Sequence, residues 1–323
     1  MEKIKIIEIP SEVGCAKRGA SLGPAAMKIV ASQVNSDFFI NNEIVTLPDC
    51  NSVLSAQNQK DCCAKAKNIQ YVLGNCHTAC NAVCKVLQSE DFPVVLSADH
   101  SSATGVIAGV KQAYPDEQVG IIWIDAHSDL HSPYTTYSGN MHGMPLGACL
   151  ALDDQARVLL NKIPNHLPQS VQTQWKHLKE LGGFVPKILP ENLVLIGVRY
   201  FKPEHTAIIE NLQIKLHSVE EVRSEGITSI SSSVDEYLNE CDRIFISFDV
   251  DSLDCHEVSK GTGTPELNGL YLQEAKDLLS AFIKNPKVVG LEITEVNPLL
   301  DDKGNAMAEA AWEILESAIS TKF

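Results

Sequence analysis

Short apolar runs alternate with longer helical patterns from one end of the chain to the other, and this alternation constrains the fold more than any other feature. The runs are typical of buried strands and cover residues 4–9, 94–97, 121–124, 193–198, 244–248 and 288–293. The helical patterns cover residues 25–32, 61–87, 101–113, 203–211, 229–239, 270–284 and 306–319. Strands that are apolar on both faces and are joined by helices form parallel sheets. The sequence therefore predicts an α/β protein whose mainly parallel sheet is covered by helices on both faces.

No repeat, low-complexity tract or hydrophilic linker interrupts the alternation, so we expect residues 1–323 to form a single domain. Hydrophobic residues make up 44% of the chain and aromatic residues only 6%, so we expect a large core packed mainly by Ile, Leu, Val and Ala. Residues 38–47 are predicted to be extended, and residues 146–181 to be helical or irregular.

The charge and the N-terminal segment exclude several classes of partner. A formal net charge of −15 argues against binding to nucleic acid or to an anionic membrane. The first ten residues carry four charges among short apolar steps, which is typical of a first strand and not of a secretory signal. No apolar run reaches the length of a membrane span. We therefore expect a cytoplasmic protein without a nucleic-acid or membrane partner.

Ten cysteines occur, and five of them lie between residues 62 and 84. Cys76, Cys80 and Cys84 recur every four residues, which places them on one face of a helix. A metal or redox site is one interpretation of this cluster. Small buried side chains with free thiols are the interpretation that we favour for a large intracellular chain.

Acidic residues and a histidine directly follow two of the apolar runs. Asp125, His127 and Asp129 come after the run that ends at Ile124, and Asp249 and Asp251 come after the run 244–248. Alternate side chains of a strand point the same way, so each set can converge on one side. Carboxylates and imidazoles held so close repel or desolvate one another unless cations neutralise them. The set therefore predicts a site for two metal ions.

Two further runs end in similar residues. His100 follows the run 94–97, and Glu292 and Glu295 follow the run that begins at Val288. In open α/β sheets, sites lie outside the carboxyl ends of the strands, so we expect all four strand ends to meet there. A single Asp or His would more often be a helix cap or a turn residue. The complete set favours a functional site.

The assembled motifs resemble those of the ureohydrolase family, which comprises arginase, agmatinase, formimidoylglutamase and their relatives. The motifs that carry the resemblance are Ser-Ala-Asp-His-Ser at 97–101, Asp-Ala-His-Ser-Asp at 125–129, Ser-Phe-Asp-Val-Asp-Ser-Leu-Asp at 247–254 and Glu-Val-Asn-Pro at 295–298. Residues 132–143 and the Gly-Thr-Gly-Thr-Pro at 261–265 are most similar to arginase. The resemblance spans nearly the whole chain. It implies a three-layer α/β/α domain and a homo-oligomer, usually a trimer or a hexamer.

The same resemblance implies two Mn²⁺ ions per chain, bridged by a hydroxide that acts as the nucleophile. Six residues would be the metal ligands: His100, Asp125, His127, Asp129, Asp249 and Asp251. Asp125 and Asp249 would bridge the two ions. A site rich in oxygen ligands with imidazole suits Mn²⁺, although Co²⁺, Ni²⁺ or Fe²⁺ would also bind.

Catalytic roles follow from the same motifs. Glu295 would pair with a guanidinium group and orient it, because a planar guanidinium fits a carboxylate. His142, in a loop with glycines on either side, would protonate the departing amine. Asp129 is the third predicted catalytic residue, beside Glu295 and His142.

The substrate-recognition residues depart from the arginase pattern. Ser138, Thr264 and Glu204 are predicted substrate contacts, but His131 stands where arginase has an Asn, and Lys202 where it has a carboxylate. Two arrangements are open. Either Lys202 points away and Glu204 meets the α-amino group of the substrate, or Lys202 points inward with His131 and favours an anionic substrate end.

The leading hypothesis is a hydrolase that splits L-arginine, or a close guanidino acid, into urea and an amine. The alternative is formimidoylglutamase, or another guanidino- or amidino-acid hydrolase whose substrate has an acidic tail. A single-zinc deacylase would need fewer carboxylates. A metal-dependent scaffold without activity would be expected to lack a ligand, and none of the six is missing.

Overall fold

Eight parallel strands form one sheet in the computed structural model, which describes residues 2–55 and 63–323. The strands are β1 (Ile4–Ile9), β2 (Glu43–Thr46), β3 (Phe92–Ser97), β4 (Val119–Ile124), β5 (Leu193–Ile196), β6 (Lys215–His217), β7 (Arg243–Asp249) and β8 (Val288–Thr294). Their order across the sheet is β2-β1-β3-β8-β7-β4-β5-β6. Every residue of β3, β4, β5 and β8 is buried, as expected for apolar strands covered on both faces.

Helices cover both faces of the sheet. They are α1 (Gly23–Gln33), α2 (Phe38–Asn41), α3 (Ile69–Gln88), α4 (Ala103–Ala113), α5 (Pro145–Cys149), α6 (Gln155–Leu159), α7 (Gln169–Glu180), α8 (Pro203–Leu212), α9 (Val219–Glu225), α10 (Ile227–Tyr237), α11 (Leu272–Phe282) and α12 (Ala306–Lys322). One core joins the sheet to α1 and α9–α12, and a second core joins the other face to α3, α4, α5 and α8. The predicted three-layer α/β/α architecture is confirmed.

The repeated cysteines belong to a close contact between α3 and α4. A Cβ at Gly105 would lie 2.4 Å from the backbone oxygen of Cys76, and one at Gly109 would lie 2.6 Å from that of Cys80. Two helices can approach this closely only where both present small side chains. Cys76, Cys80 and Cys84 are buried free thiols, which agrees with the packing interpretation. Cys62 lies outside the described residues.

Three local features differ from the predictions. Residues 38–47 are not extended throughout, because Phe38 and Phe39 pack on Trp312 with ring centroids 5.6 and 5.5 Å away, and this contact accompanies the one-turn helix α2 before β2. The edge strand β6 was missed because it has three residues and two of them are polar. The predicted helix 61–87 begins only at Ile69 among the described residues.

The strand order explains how distant motifs meet. β3, β8, β7 and β4 are consecutive neighbours at the centre of the sheet, and each ends at the same edge because all are parallel. The residues after these four strands therefore surround one position. None of the described helices is both long and apolar enough to cross a membrane.

Candidate metal centre

His100 lies in a single 3-10 turn after β3 and faces three carboxylates. Its Nδ1 atom is 3.2 Å from Oδ2 of Asp125, 3.4 Å from Oδ2 of Asp129 and 3.1 Å from Oδ2 of Asp249. This nitrogen is buried, and it forms no hydrogen bond of normal geometry with any described residue. One ring nitrogen and three carboxylate oxygens thus converge on a volume that suits a cation.

A second group of ligand atoms adjoins the first. Nδ1 of His127 is 2.9 Å from Oδ2 of Asp251 and 3.5 Å from Oδ1 of Asp125. The ligand atoms of His100, Asp125 and Asp129 lie within 4.8 Å of one another, and so do those of Asp125, His127 and Asp251. Asp125 belongs to both groups. The two candidate ligand groups are therefore adjacent and share one carboxylate.

The electrostatics of the cluster require added positive charge. Burial raises the pKa of Asp129 well above its usual range, and the nearby charge of Asp125 raises it further. Burial, Asp251 and Asp125 do the same to Asp249, and burial and Asp125 raise the pKa of Asp251. Burial would lower the pKa of His100, but Asp125 and Asp249 raise it well above its usual value. So many buried anions stay ionised together only beside cations, and this donor set fits divalent ions.

Backbone donors orient the carboxylates before any ion binds. The N–H of His127 donates to Oδ1 of Asp125 at 2.6 Å, and the indole N–H of Trp123 donates to Oδ2 at 3.0 Å. The N–H of Asp251 donates to Oδ1 of Asp249 at 2.8 Å. In both backbone cases the residue two positions after the aspartate supplies the donor. The Asp-x-His and Asp-x-Asp spacings therefore supply candidate ligands and also orient the carboxylate of the first aspartate in each motif.

Glu292 is a buried carboxylate to which the sequence assigned no role, and it orients the His100 ring through Ser247. Nε2 of His100 is 2.8 Å from Oγ of Ser247, whose hydroxyl donates to Oε2 of Glu292 at 2.9 Å. Ser97 donates to Oε1 of Glu292 at 2.5 Å. Because Ser247 donates to Glu292, its oxygen accepts from Nε2–H of His100, and Nδ1 is left as a metal ligand. The imidazole also stacks on Trp123, with 4.0 Å between centroids.

The predicted proton donor is held in place rather than set in a mobile loop. His142 lies in the 3-10 turn Met141–Gly143, and its backbone N–H donates to the oxygen of Gly14 at 3.2 Å. Its Nδ1 is 3.0 Å from Oε1 of Glu295. Burial lowers the pKa of His142, but the charge of Glu295 outweighs burial and raises it to about 9. The imidazole is therefore a cation at neutral pH.

Glu295 keeps one carboxylate oxygen free. Oε1 accepts from the backbone N–H of His100 at 3.0 Å and faces His142, whereas Oε2 is buried without a hydrogen-bond partner among the described residues. A Cβ at Gly263 would lie 3.4 Å from Oε2, so this glycine leaves room between the carboxylate and the cavity. Glu295 (φ 68°) and Asp129 (φ 49°) both have left-handed backbone conformations, which place their carboxylates at the site.

A cavity of about 480 Å³ opens over the cluster. His131, Ser138, Lys202 and Thr264, four of the five predicted substrate contacts, line it. Thr264 donates to Oδ2 of the ligand Asp251 at 2.9 Å, so it also supports the metal site.

The fifth predicted contact, Glu204, does not line the cavity. Its Oε2 accepts from the hydroxyl of Tyr137 at 2.8 Å, its Oε1 accepts from Nζ of Lys162 at 3.1 Å, and Arg157 is 3.8 Å away. Only 1% of Glu204 is exposed. Burial raises its pKa, but the bonds from Tyr137 and Lys162 lower it below the usual value. The carboxylate is thus ionised and already engaged by other side chains.

Lys202 faces the cavity without an acidic partner. Its Nζ is 4.8 Å from the ring centroid of Tyr200 and 5.7 Å from that of Tyr137. It forms no ion pair with any carboxylate in the described part of the chain. A hydrogen bond with Tyr200 raises the pKa of Lys202, so the side chain is a cation.

His205 is a cavity residue that the sequence analysis did not single out. Its ring lies 4.1 Å from that of His131, and neither of its nitrogens has a hydrogen-bond partner among the described residues. Burial and the charge of His127 lower the pKa of His205 to about 4. Burial and His205 lower the pKa of His131 to about 2. No sequence signal joins these two histidines, because the start of α8 brings His205 to the loop that carries His131.

Comparisons with known proteins extend over the whole chain. The model of the Arginase family matches residues 2–320. An arginase of Bacillus caldovelox is 32% identical over 323 residues, which cover 100% of this chain and 99% of that protein. An arginase of Bacillus subtilis (strain 168) is 30% identical over 319 residues, covering 99% and 98%. A solved structure of the Bacillus caldovelox arginase is 32% identical, covers 98% of both chains and has a TM-score of 0.79.

Proposed function

The chain belongs to the arginase family, and from this premise we propose that it is a binuclear manganese hydrolase that cleaves the guanidino group of L-arginine, or of a close guanidino acid, to urea plus an amine. The observation that carries the proposal is the pair of ligand groups that share Asp125. The free oxygen of Glu295 and the imidazole of His142 lie beside them.

The six predicted ligands form a set of carboxylates and imidazoles that suits two Mn²⁺ ions. His100, Asp125, Asp129 and Asp249 would hold one ion, and Asp125, His127, Asp249 and Asp251 would hold the other. When bound, the ions would lower the pKa of a water molecule and so provide a nucleophile at neutral pH. The protein contributes the orientation of each ligand through the backbone donors and through Ser247.

Glu295 positions the substrate in this proposal. A guanidinium is planar and carries N–H donors on every side, so the free Oε2 can accept from it in a charge-assisted hydrogen bond. The buried location strengthens that bond and excludes water from it. The guanidinium carbon is thereby held beside the carboxylate cluster.

His142 supplies the proton that the leaving group needs. Cleavage of the bond between carbon and the alkylated nitrogen releases an amine, which departs only after it is protonated. His142 is charged at neutral pH because of Glu295, which also holds its ring and would place it next to a guanidinium on Oε2. One carboxylate thus orients both the electrophile and the acid.

A substrate panel tests this function. We expect the Mn²⁺-loaded protein to release urea from L-arginine or from a guanidino acid, and the Glu295→Gln variant to bind the same metal while losing kcat/KM. Lys17→Ala serves as a control, because Lys17 is an exposed residue of the same cavity outside the predicted metal ligands and catalytic residues. Absence of urea or ammonia release from every guanidino and amidino compound tested, with two ions bound, would reject the proposal.

A second candidate is an amidino-acid hydrolase whose substrate has an acidic tail, as in formimidoylglutamase. The observation that favours it is Lys202, a cavity cation with no described carboxylate partner. Formimidoylglutamate in the same panel distinguishes the two, because its cleavage releases formamide or ammonia instead of urea.

A further inference from the structure

Four side chains form one continuous wall of the cavity apart from the metal ligands. We call this set the histidine wall: His131, His205, Tyr137 and Lys202. The rings of His131 and His205 are 4.1 Å apart, those of His131 and Tyr137 are 6.0 Å apart, and Nζ of Lys202 is 5.7 Å from the Tyr137 ring. The wall therefore combines two imidazoles, a phenol and an ammonium within a short distance.

The four wall residues include a cation and no carboxylate, although the ionised Glu204 accepts a hydrogen bond from Tyr137 and acts to raise the pKa of both Lys202 and His205. Glu204 is the carboxylate nearest to Lys202 in the sequence. Its two oxygens accept from Tyr137 and Lys162, and its side chain is almost completely buried. Lys202 has no ion-pair partner among the described carboxylates. An ammonium group of a substrate placed against this wall would meet a like charge, whereas a carboxylate would meet an opposite one.

The imidazoles offer hydrogen bonds that the protein itself does not use. His205 is 4% exposed, and both of its ring nitrogens lack a partner among the described residues. A buried polar group left without a partner is costly, so such a group at a cavity wall is suited to a ligand. A neutral imidazole can donate one N–H to a carboxylate oxygen.

We propose that the histidine wall binds the carboxylate of an ω-guanidino acid, so that the preferred substrates are ω-guanidino carboxylates and an α-ammonium group is not required. This inference rests on the proposed function, since it concerns the other end of the same substrate. Lys202 provides the charge, and His205 provides a hydrogen bond.

Glu266 is the alternative anchor for an ammonium group. Among the described residues that line the cavity, it is the one carboxylate outside the predicted metal ligands. Its Oε1 lies 3.8 Å from Nε2 of His127, at the metal end and not in the wall. An enzyme that depends on the α-ammonium of its substrate would need Glu266, and Glu266→Gln would then weaken turnover of L-arginine specifically.

Three guanidino compounds of matched chain length test the inference. L-Arginine has both a carboxylate and an ammonium group, 5-guanidinopentanoate has only the carboxylate, and agmatine has only the ammonium. We expect kcat/KM for 5-guanidinopentanoate to equal or exceed that for L-arginine, and both to exceed agmatine by roughly 10- to 150-fold, the worth of a charge-assisted hydrogen bond. Equal turnover of agmatine, or a tenfold preference for L-arginine over 5-guanidinopentanoate, would overturn it.

Variants locate the effect in the wall. Lys202→Ala should lower kcat/KM for 5-guanidinopentanoate by about 10- to 150-fold and leave agmatine unchanged or improved, and His205→Phe should lower it by about 2- to 12-fold. Lys17→Ala is the matched control, because Lys17 is an exposed lysine that lines the same cavity. An equal loss in Lys17→Ala would show a general effect of charge and would contradict the assignment to Lys202.

A binding measurement distinguishes an error in the carboxylate site proposed for the histidine wall from an error in the proposed function. Calorimetry on the Mn²⁺-loaded protein should give tighter binding of 5-aminopentanoate than of 1,4-diaminobutane, and Lys202→Ala should abolish the difference. This outcome without any turnover would support the wall and reject the hydrolase. Turnover without a preference for 5-aminopentanoate over 1,4-diaminobutane would support the hydrolase and reject the wall.

Discussion

The predicted metal ligands and the histidine wall face the same cavity but come from different kinds of segment. The ligands follow strand ends at the centre of the sheet, where parallel pairing fixes each strand against its neighbours. The wall comes from the loop that contains His131 and Tyr137 and from the start of α8. The first region is set by the fold, whereas the second can change without disturbing the sheet. Chemistry and substrate choice are therefore separable in this molecule.

The largest expected effect is the loss of metal ions when the shared ligand Asp125 is removed. Asp125→Ala removes a carboxylate that is predicted to bridge the two ions and that belongs to both candidate ligand groups, so both ions should be lost and activity should fall to background. Asp251→Ala should leave one ion per chain, because His100, Asp129 and Asp249 are untouched. Metal analysis after Mn²⁺ saturation and gel filtration gives the stoichiometry. One ion per chain in the unmodified protein would contradict the binuclear site.

The next effect concerns the proton donor. His142→Asn should lower kcat by roughly 10²- to 10⁴-fold while both ions remain bound. Since the pKa of His142 is about 9 and its protonated form is the acid, the kcat of the unmodified protein should fall as pH rises through about 9. The variant should lack that decrease. An identical pH profile in both proteins would assign the decrease to another group.

A smaller effect tests whether support behind the ligands matters as much as the ligands. Glu292→Ala removes the acceptor that fixes Ser247 and, through it, the tautomer of His100, so Mn²⁺ affinity should weaken about 10- to 100-fold at one site. Glu292→Gln retains one oxygen acceptor and should lose less. The readout is a Mn²⁺ titration in which the two sites resolve. Equal weakening of both sites would indicate a general structural defect.

The smallest effect is on stability without metal. Burial and the charge of Glu295 raise the pKa of Asp99 from 3.8 to about 6, and the pKa values of His100 and His127 are raised well above 6.5. Groups with raised pKa stabilise the fold below the unfolded pKa and lose that contribution as pH rises through the folded value. The lowered pKa values of His131 and His205 act in the opposite direction below pH 6.5, so the free energy of unfolding of the metal-free protein should fall above about pH 6.5.

Added Mn²⁺ should then raise Tm more at pH 8 than at pH 6, because the ligands bind metal in their deprotonated forms. Thermal scans with and without chelator at the two pH values measure this difference. A Tm increment that does not depend on pH would show that the clustered groups do not titrate with folding.

The sequence was sufficient for the parts of the site that local spacing controls. Asp125, His127 and Asp249 follow apolar runs, and their orientation depends on backbone donors two residues away. The role of Glu292 depends on serines from two other strands, although a charged residue inside the apolar run 288–293 was a usable signal. The meeting of His131 with His205 depends on how a loop and a helix pack, which no local pattern encodes.

The left-handed backbone at Asp129 and Glu295 has a consequence for directed evolution. A non-glycine residue in this conformation is strained by about 1–3 kcal/mol, least for Asp and Asn, so the strain is greater at Glu295 than at Asp129. A library screened for thermal tolerance alone should therefore enrich Gly or Asn at position 295. The enriched proteins would survive heating better and would have lost the carboxylate that is proposed to hold the substrate. Any programme that aims at a hardier enzyme from this chain needs to select for turnover and heat resistance together.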